Sequence, residues 1–188
     1  GGIPVEAAPP VIYELDSTGL GRASYRVEWP KSAWQRSFAN HFSSASGSIL
    51  ATAGYASNVV RFKDWSTDRE WTDTLRARWM KPIEWPENEQ YGAGTKIEQM
   101  REWIKHQVMV HGVYLGSPRW YVALVQLYDD AGEVQWAYIV STTDGRARIA
   151  TDPVPHRLHA MRGDTAYLLD EDESGNYVLD VRRVRVRW

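Results

Sequence analysis

The histidines are the first residues to consider for chemistry, because an imidazole can act as an acid, a base or a metal ligand. His156 and His159 lie three residues apart on a predicted strand, and since side chains alternate between the faces of a strand, they point in opposite directions. His106 and His111 are five residues apart around a predicted helix end, and only tertiary packing could bring them to His41. We therefore interpret all five as structural residues and predict no metal site.

The acidic segment that starts at Asp170 (DEDESG) has the spacing with which a calcium loop begins. Asp170, Asp172 and Ser174 would supply the first oxygen ligands, and Gly175 would allow the sharp turn. The twelfth position of such a loop needs a bidentate carboxylate, but this chain has Val181 there. The pattern therefore favours an acidic hairpin turn over a calcium site.

Signatures of catalysis are missing from the sequence. The segment 43–48 (SSASGS) contains neither the Gly-x-Ser-x-Gly turn of a serine nucleophile nor the Gly-Lys-Ser/Thr end of a phosphate-binding loop, and it is typical of a loop or turn. Carboxylates are grouped at 84–89 and 129–130, but nothing isolates a pair of them in a dry cleft. We predict that the chain is not an enzyme and that it holds no cofactor.

Composition places the chain among ordinary globular proteins and excludes several classes of function. Apolar residues make up 43% and charged residues 24% of the 188 positions, and no apolar stretch is long enough for a membrane-spanning helix. The net charge of −2 argues against a nucleic-acid partner, which would need a basic surface. Because cysteine is absent, the chain forms neither disulfides nor thiolate sites.

Tryptophan and tyrosine are in marked excess, with 10 of each against only 3 phenylalanines. Both side chains join an apolar body to a polar tip and are enriched at protein interfaces. Some must fill the core, but many tryptophans stand in polar, proline-rich or charged surroundings, which favours a contact surface. Arginine also anchors interfaces, and an arginine cluster lies in the last segment. The predicted partner-binding residues are Trp65, Trp71, Trp79, Trp85, Trp103, Arg183, Arg185 and Arg187.

Strands dominate both ends of the chain. Segments rich in β-formers recur at intervals of about 8–12 residues, separated by short groups of Gly, Asp, Asn and Ser, which is typical of an antiparallel meander. The predicted turns lie at 16–19, 54–58, 129–132, 143–145, 162–164 and 173–176.

The last strand changes its apolar face. Apolar residues occupy odd positions from Tyr177 to Val181 and even positions from Val184 onward. Because side chains alternate with a period of two, a β-bulge at 182–183 would restore one continuous apolar face. The arginines around it would then face a partner, or they would protect a solvated edge strand by their charge.

The middle of the chain has a different character. Residues 65–94 combine tryptophan, proline and charge, and they predict a long excursion with little regular structure. Residues 95–111 predict a helix, with Thr95 and Glu98 as a capping box and Gly112 as the C-terminal stop. The predicted organisation is an extended arm at 1–10 and one β-rich domain at 11–188, with a Trp-rich, helical insertion at about 65–112.

Several segments share a blade-like pattern: a Gly-Asp turn, a Tyr-apolar-apolar-Asp strand, an acidic turn and a final strand rich in Val and Arg. They are 136–146 (WAYIVSTTDGR), 159–170 (HAMRGDTAYLLD) and 175–184 (GNYVLDVRRV), and 48–62 adds a further fragment. In this pattern the chain resembles bacterial six-bladed β-propeller proteins of the TolB/NHL type. The resemblance implies antiparallel blades and, as in some members, a charged helical insertion, here at 70–112.

The expected fold is mainly β: an antiparallel meander of propeller-like blades with one helical insertion. Because a blade takes about 40–45 residues, 188 residues allow only a partial propeller and not a closed six-bladed ring. A small β-barrel or a sandwich is the alternative. An incomplete ring leaves open sheet edges, which need a partner to cover them.

The first hypothesis for function is a non-catalytic accessory or structural subunit, or a protein-interaction module, of a larger assembly. A peripheral subunit of a membrane-bound photosynthetic or respiratory complex is one host that fits. The partners would be other protein subunits, with no nucleic acid and no transmembrane segment in the chain itself. The alternatives are a carbohydrate- or small-ligand-binding module and a hydrolase or lyase on a propeller-type scaffold. A start without methionine and the family resemblance predict a periplasmic or otherwise exported location, peripheral to a membrane.

Overall fold

The structure, a computed structural model, describes residues 11–15, 21–26, 41–85, 97–154, 156–172 and 174–188. Within these ranges the chain is mainly β, and every strand pairs antiparallel with a neighbour in sequence, so the predicted mainly-β meander is confirmed. The predicted arm at 1–10 and the predicted capping residue Thr95 lie outside the described residues.

The described strands form one hairpin and three sheets, with a short helix between the first two sheets. The hairpin contains β1 (Val11–Leu15) and β2 (Gly21–Arg26). Sheet I contains β3 (His41–Ser46), β4 (Ile49–Gly54), β5 (Val59–Asp64) and β6 (Arg69–Thr74). Helix α1 (Ile97–Lys105) follows, and sheet II contains β7 (Met109–Ser117), β8 (Trp120–Tyr128), β9 (Val134–Thr142) and β10 (Arg148–Ala150). Sheet III contains β11 (Arg157–Arg162), β12 (Thr165–Glu171) and β13 (Tyr177–Arg183).

Turn chemistry sets the strand boundaries. Gly163, in the turn between β11 and β12, has a φ of 58°, a left-handed backbone that glycine adopts without a steric cost. The predicted turns at 54–58, 129–132, 143–145 and 162–164 all separate strands and are confirmed. The turn at 16–19 lies outside the described residues, although the strands on either side of it pair with each other.

Sheet II is the middle layer of the stack. On β8, Ala123 and Val125 are buried against sheet I, whereas Val122 and Leu124 are buried against sheet III. A strand that is buried on both faces needs a continuous apolar run, and WYVALVQLY supplies one. The core therefore has two parts, one on each side of sheet II.

The predicted helix at 95–111 is wrong in its second half. Helix α1 ends at Lys105, and the chain enters β7 at Met109. Gly112 is no helix stop: it lies at a register shift of β7, and a Cβ there would lie 2.8 Å from the ring of Tyr114. Burial in a central sheet thus outweighs the helical spacing of the apolar residues.

Two segments that were predicted to lack regular structure form strands of sheet I. β6 lies within the predicted excursion at 65–94, and β3 includes most of the predicted loop at 43–48. Both strands carry many polar side chains, because each is an edge strand of sheet I. Backbone pairing with β4 and β5 places them in the sheet, and periodicity alone does not reveal such pairing.

The predicted bulge at 182–183 is also wrong. β13 pairs with β12 without interruption from Thr165↔Arg183 to Glu171↔Tyr177, and the strand ends there. Val184 packs toward sheet II, whereas the apolar residues of β13 at odd positions remain on the opposite face of sheet III. The change of apolar face is real, but no bulge corrects it.

Candidate functional site

The tryptophans predicted to bind a partner are engaged within the chain. Trp71 stacks on Phe62 with ring centroids 5.3 Å apart, and its indole N–H donates to the carbonyl oxygen of Thr143 at 2.6 Å. The indole N–H of Trp79 likewise donates to the carbonyl oxygen of Thr151 at 2.9 Å. Trp71 therefore connects β6 to sheet II, and Trp79 connects the segment after β6 to the same sheet.

The other predicted tryptophans lie in the same part of the chain. Trp85 stacks on Trp103 of α1 at 5.3 Å, and the indole N–H of Trp103 donates to the carbonyl oxygen of Glu84 at 2.9 Å. Trp65 is half-buried in the turn between β5 and β6. The predicted arginines belong to sheet III and the segment after it, so the structure does not bring the eight predicted residues to one surface.

A buried polar cluster around Asp73 is the strongest group of chemically active side chains that sequence reasoning missed. The Asp73 carboxylate accepts hydrogen bonds from the hydroxyls of Tyr121 at 2.6 Å and Ser141 at 3.0 Å, and it forms an ion pair with Arg148. Burial raises the pKa of the Tyr121 hydroxyl above its usual range, and the bond to Asp73 raises it further. A side chain at Gly145 would collide with Asp73, since a Cβ there would lie 2.9 Å from a carboxylate oxygen.

This cluster joins sheet I to sheet II. Asp73 comes from β6, and its partners come from β8, β9 and β10. Ser141 is completely buried, so its hydroxyl has no route to a substrate. The arrangement therefore cross-links the two sheets.

His111 lies in an aromatic cluster where the three sheets meet. Its ring stacks on Phe42 at 5.6 Å and meets Tyr55 and Trp136 edge-on at 5.4 and 5.2 Å. The Arg157 guanidinium lies 5.1 Å from the centre of the Trp136 ring and 3.5 Å from Nδ1 of His111. Burial lowers the pKa of His111, and the positive charge of Arg157 lowers it further.

We expect the protein to lose stability as the pH falls below about 6.5, the ordinary pKa of an unfolded histidine. Because the pKa of His111 is lower in the folded state, the unfolded state binds more protons in this range. The contribution of His111 to the free energy of unfolding is fully present above the pKa of His111 in the unfolded state. It is lost as the pH falls through the pKa of His111 in the folded state. Urea unfolding at several pH values, with wild type and His111→Gln compared, measures it.

His111→Gln should flatten the pH dependence of the free energy of unfolding between about pH 7 and 5. Carboxylates such as Asp64 and Asp172, whose pKa values are lowered by hydrogen bonds, lose their contributions only below about pH 4. Equal curves for the wild type and His111→Gln would contradict the expectation.

A cleft of about 670 Å³ opens between the end of β8 and the segments on either side of α1. Trp79 and Tyr128 contribute aromatic surface, and Lys81, Lys105 and Asp130 contribute charges of both signs. Its volume is within the range of small-molecule sites. Binding of a carbohydrate or another small ligand there stays a prediction.

Sheet III carries the feature with the clearest functional meaning, an apolar face whose residues on β13 are exposed. Ala166 and Leu168 of β12 point toward sheet II, so Tyr167 and Leu169 point to the other side. Across β12 and β13, Tyr167 is opposite Val181 and Leu169 is opposite Leu179. Tyr177, Leu179 and Val181 are 75%, 52% and 55% exposed. We call Tyr167, Leu169, Tyr177, Leu179 and Val181 the outer face.

Charges are separated along the strands of the outer face. At one end Arg183 pairs with Asp164 at 2.6 Å, and the exposed Arg185 and Arg187 follow without an ion pair to any described residue. At the other end the exposed Asp170 lies near the end of β12, and the exposed Asp172 begins the turn between β12 and β13. Asp172 caps this turn by accepting backbone hydrogen bonds from Ser174 and Asn176, as expected for an acidic hairpin turn.

Within the described ranges, His, Asp and Glu side chains form no group of three that could hold a metal ion. In the part of the chain that the structure describes, no helix is long and apolar enough to cross a bilayer.

The chain matches no family model, no curated protein and no solved structure. The resemblance to six-bladed propellers therefore has no support from known proteins and stays a prediction.

Proposed function

We propose that this chain is a non-catalytic interaction module, an accessory subunit of a larger protein assembly, and that the outer face is its contact surface. The observation that carries the proposal is the exposure of Tyr177, Leu179 and Val181 on a sheet whose other face is already packed against sheet II. An antiparallel sheet with one solvated face normally presents polar residues to the water. Contiguous exposed apolar residues mark sites of association.

Energetics favour covering this face. Burial of a Leu or Val side chain stabilises by roughly 1.5–3 kcal/mol, and aromatic side chains such as Tyr are common anchors of interfaces. Among the predicted partner-binding residues, Arg183 ends β13 beside the outer face, and the exposed Arg185 and Arg187 follow it in the chain. An apolar centre with an arginine-rich rim has the composition of a protein interface.

The order of the sheets supports a partial propeller as the finer description of the fold. Sheets I, II and III are successive antiparallel meanders, and sheet II packs face to face with both of the others. A further sheet on the outer face would extend this stack in the same manner. The partner that we propose is therefore a protein that presents an apolar sheet face.

The native mass of the particle that carries the chain tests this proposal. We expect light scattering on gently extracted material to give a mass well above the 21.5 kDa of the chain. The variant Tyr177→Lys/Leu179→Lys should weaken the association at least about tenfold and move the mass toward that of one chain, because two apolar contacts are lost.

Val134→Lys/Ile149→Lys is the matched control, since both residues are exposed apolar residues of sheet II. Its particle should keep the wild-type mass. A wild-type particle of 21.5 kDa, or an outer-face variant with an unchanged particle, would overturn the proposal.

A further inference from the structure

The backbone of β13 presents an open edge. In the flanking turns, Val184 N–H donates to the Asp164 carbonyl oxygen at 2.7 Å and Asp172 N–H donates to that of Asn176 at 2.9 Å. Antiparallel ladders alternate between hydrogen-bonded and non-hydrogen-bonded pairs, so the even positions of β13 bond to β12. The odd positions, from Tyr177 to Arg183, direct their N–H and C=O groups away from β12. Among the described strands none pairs with this edge.

We infer that the open edge of β13 pairs antiparallel with β13 of a second copy of the chain, with Val181 of one copy opposite Val181 of the other. This inference rests on the proposed function, since it names a partner at the edge of the same contact surface. Strand addition at a sheet edge is a common form of recognition, and a two-fold axis makes one strand serve both sides.

The charges of β13 identify the second copy as the occupant. Asp180 and Arg182 are neighbours on one face of the strand with side chains 41% and 68% exposed, and they form an ion pair of 2.6 Å. For an arbitrary strand these charges disfavour edge pairing. In the symmetric register centred on Val181, however, Asp180 of each copy lies opposite Arg182 of the other. Opposite charges directly across a strand pair are stabilising.

The neighbouring symmetric register is unfavourable. If Asp180 were at the centre, it would lie opposite Asp180 of the second copy, and like charges in that position are destabilising. The register centred on Val181 avoids this and brings two β-branched side chains together on the axis. The sequence of charges thus selects one register.

The ends of the strands are complementary as well. Antiparallel pairing brings the acidic turn of one copy, which begins at Asp172, toward the end of the other copy that carries Arg185 and Arg187. The two-fold axis repeats this contact at the other end of the interface. Parallel alignment would place like charges together, so the charge distribution favours the antiparallel arrangement.

Charge reversal at Asp180 and Arg182 tests the inference with the purified chain. Light scattering over a range of concentrations should give the wild type a mass of twice 21.5 kDa. Asp180→Arg and Arg182→Asp each place like charges opposite one another twice, so each should weaken the dimer by roughly ten- to a hundredfold. Both side chains are exposed, so folding should survive either reversal.

Two further samples test the register. An equimolar mixture of the two single variants should dimerise again, because the introduced arginine of one chain faces the introduced aspartate of the other. The double variant Asp180→Arg/Arg182→Asp should dimerise alone for the same reason. Asp152→Arg, which reverses one partner of another exposed ion pair, should leave the mass at the wild-type value.

The outcomes separate this inference from the proposed function. A purified wild type that stays at 21.5 kDa, or a dimer unaffected by either reversal, would overturn the pairing of β13 with itself. If both reversals weaken the dimer and neither the mixture nor the double variant restores it, the proposed register is wrong. If the purified chain is a monomer while the particle from its source is heavier, a different protein occupies the surface and the proposed function stands. If both measurements give 21.5 kDa, the proposed function falls too.

Discussion

Asp73→Ala should lower the free energy of unfolding by about 3–5 kcal/mol, because it leaves a buried cation without its counter-ion. Asp73 is 8% exposed and the side chain of Arg148 is 19% exposed, so water replaces little of the lost contact. The hydroxyls of Tyr121 and Ser141 lose an acceptor at the same time. Urea unfolding followed by tryptophan fluorescence measures the change.

Asp152 provides the comparison for this experiment. It pairs with Arg78 on the surface, where both side chains are more than two-thirds exposed. Asp152→Ala should therefore cost no more than about 1 kcal/mol. The double variant Asp73→Ala/Arg148→Met should be more stable than Asp73→Ala, since it removes the stranded charge. If Asp73→Ala cost no more than Asp152→Ala, the cross-link would contribute nothing to stability.

Local signals made most of sheets II and III predictable. The turn at Gly163 needs a left-handed residue, and the apolar run of β8 reports a strand that is buried on both faces. Such signals depend on a few adjacent residues, so one sequence contains them.

The helix prediction was wrong after Lys105 for a different reason. Apolar residues at 108–113 satisfy a helical stripe and a buried strand alike, and only the neighbouring β8 decides between them.

Contacts between distant residues could not be predicted. Asp73 and Arg148 are 75 positions apart, and nothing near either residue indicates the other. The same holds for the indole N–H of Trp71, whose acceptor at Thr143 is 72 positions away. Polar surroundings suggested that this tryptophan faced a partner, whereas the structure gives it a place between the chain's own sheets.

The sequence contains the apolar residues of the outer face, but it does not show whether anything packs on them. The change of parity between Val181 and Val184 shows that two faces of the last segment are apolar. One sequence cannot tell whether a bulge unites them or the sheet leaves one uncovered, because this depends on what packs on each side. The structure places sheet II on only one of them, and that asymmetry carries the proposed function.

Phe62→Ala should lower the free energy of unfolding by about 3–5 kcal/mol, the cost of a large cavity in a core. Phe62 is 1% exposed and lies at the centre of the contact between sheets I and II. Its ring stacks on Trp71 at 5.3 Å and meets Tyr121 edge-on at the same distance, so the cavity borders two rigid rings that cannot collapse into it.

Val181→Ala on β13 supplies the matched control, because this apolar side chain belongs to the outer face and is 55% exposed. In the isolated chain it should change the free energy of unfolding by no more than about 0.5 kcal/mol. The comparison separates two uses of apolar residues here: Phe62 stabilises the fold, whereas the apolar residues of β13 are available for association. Urea unfolding under conditions where the chain is monomeric gives both values. A loss at Val181 as large as that at Phe62 would mean that β13 is part of the core, and the outer face would then not be a free surface.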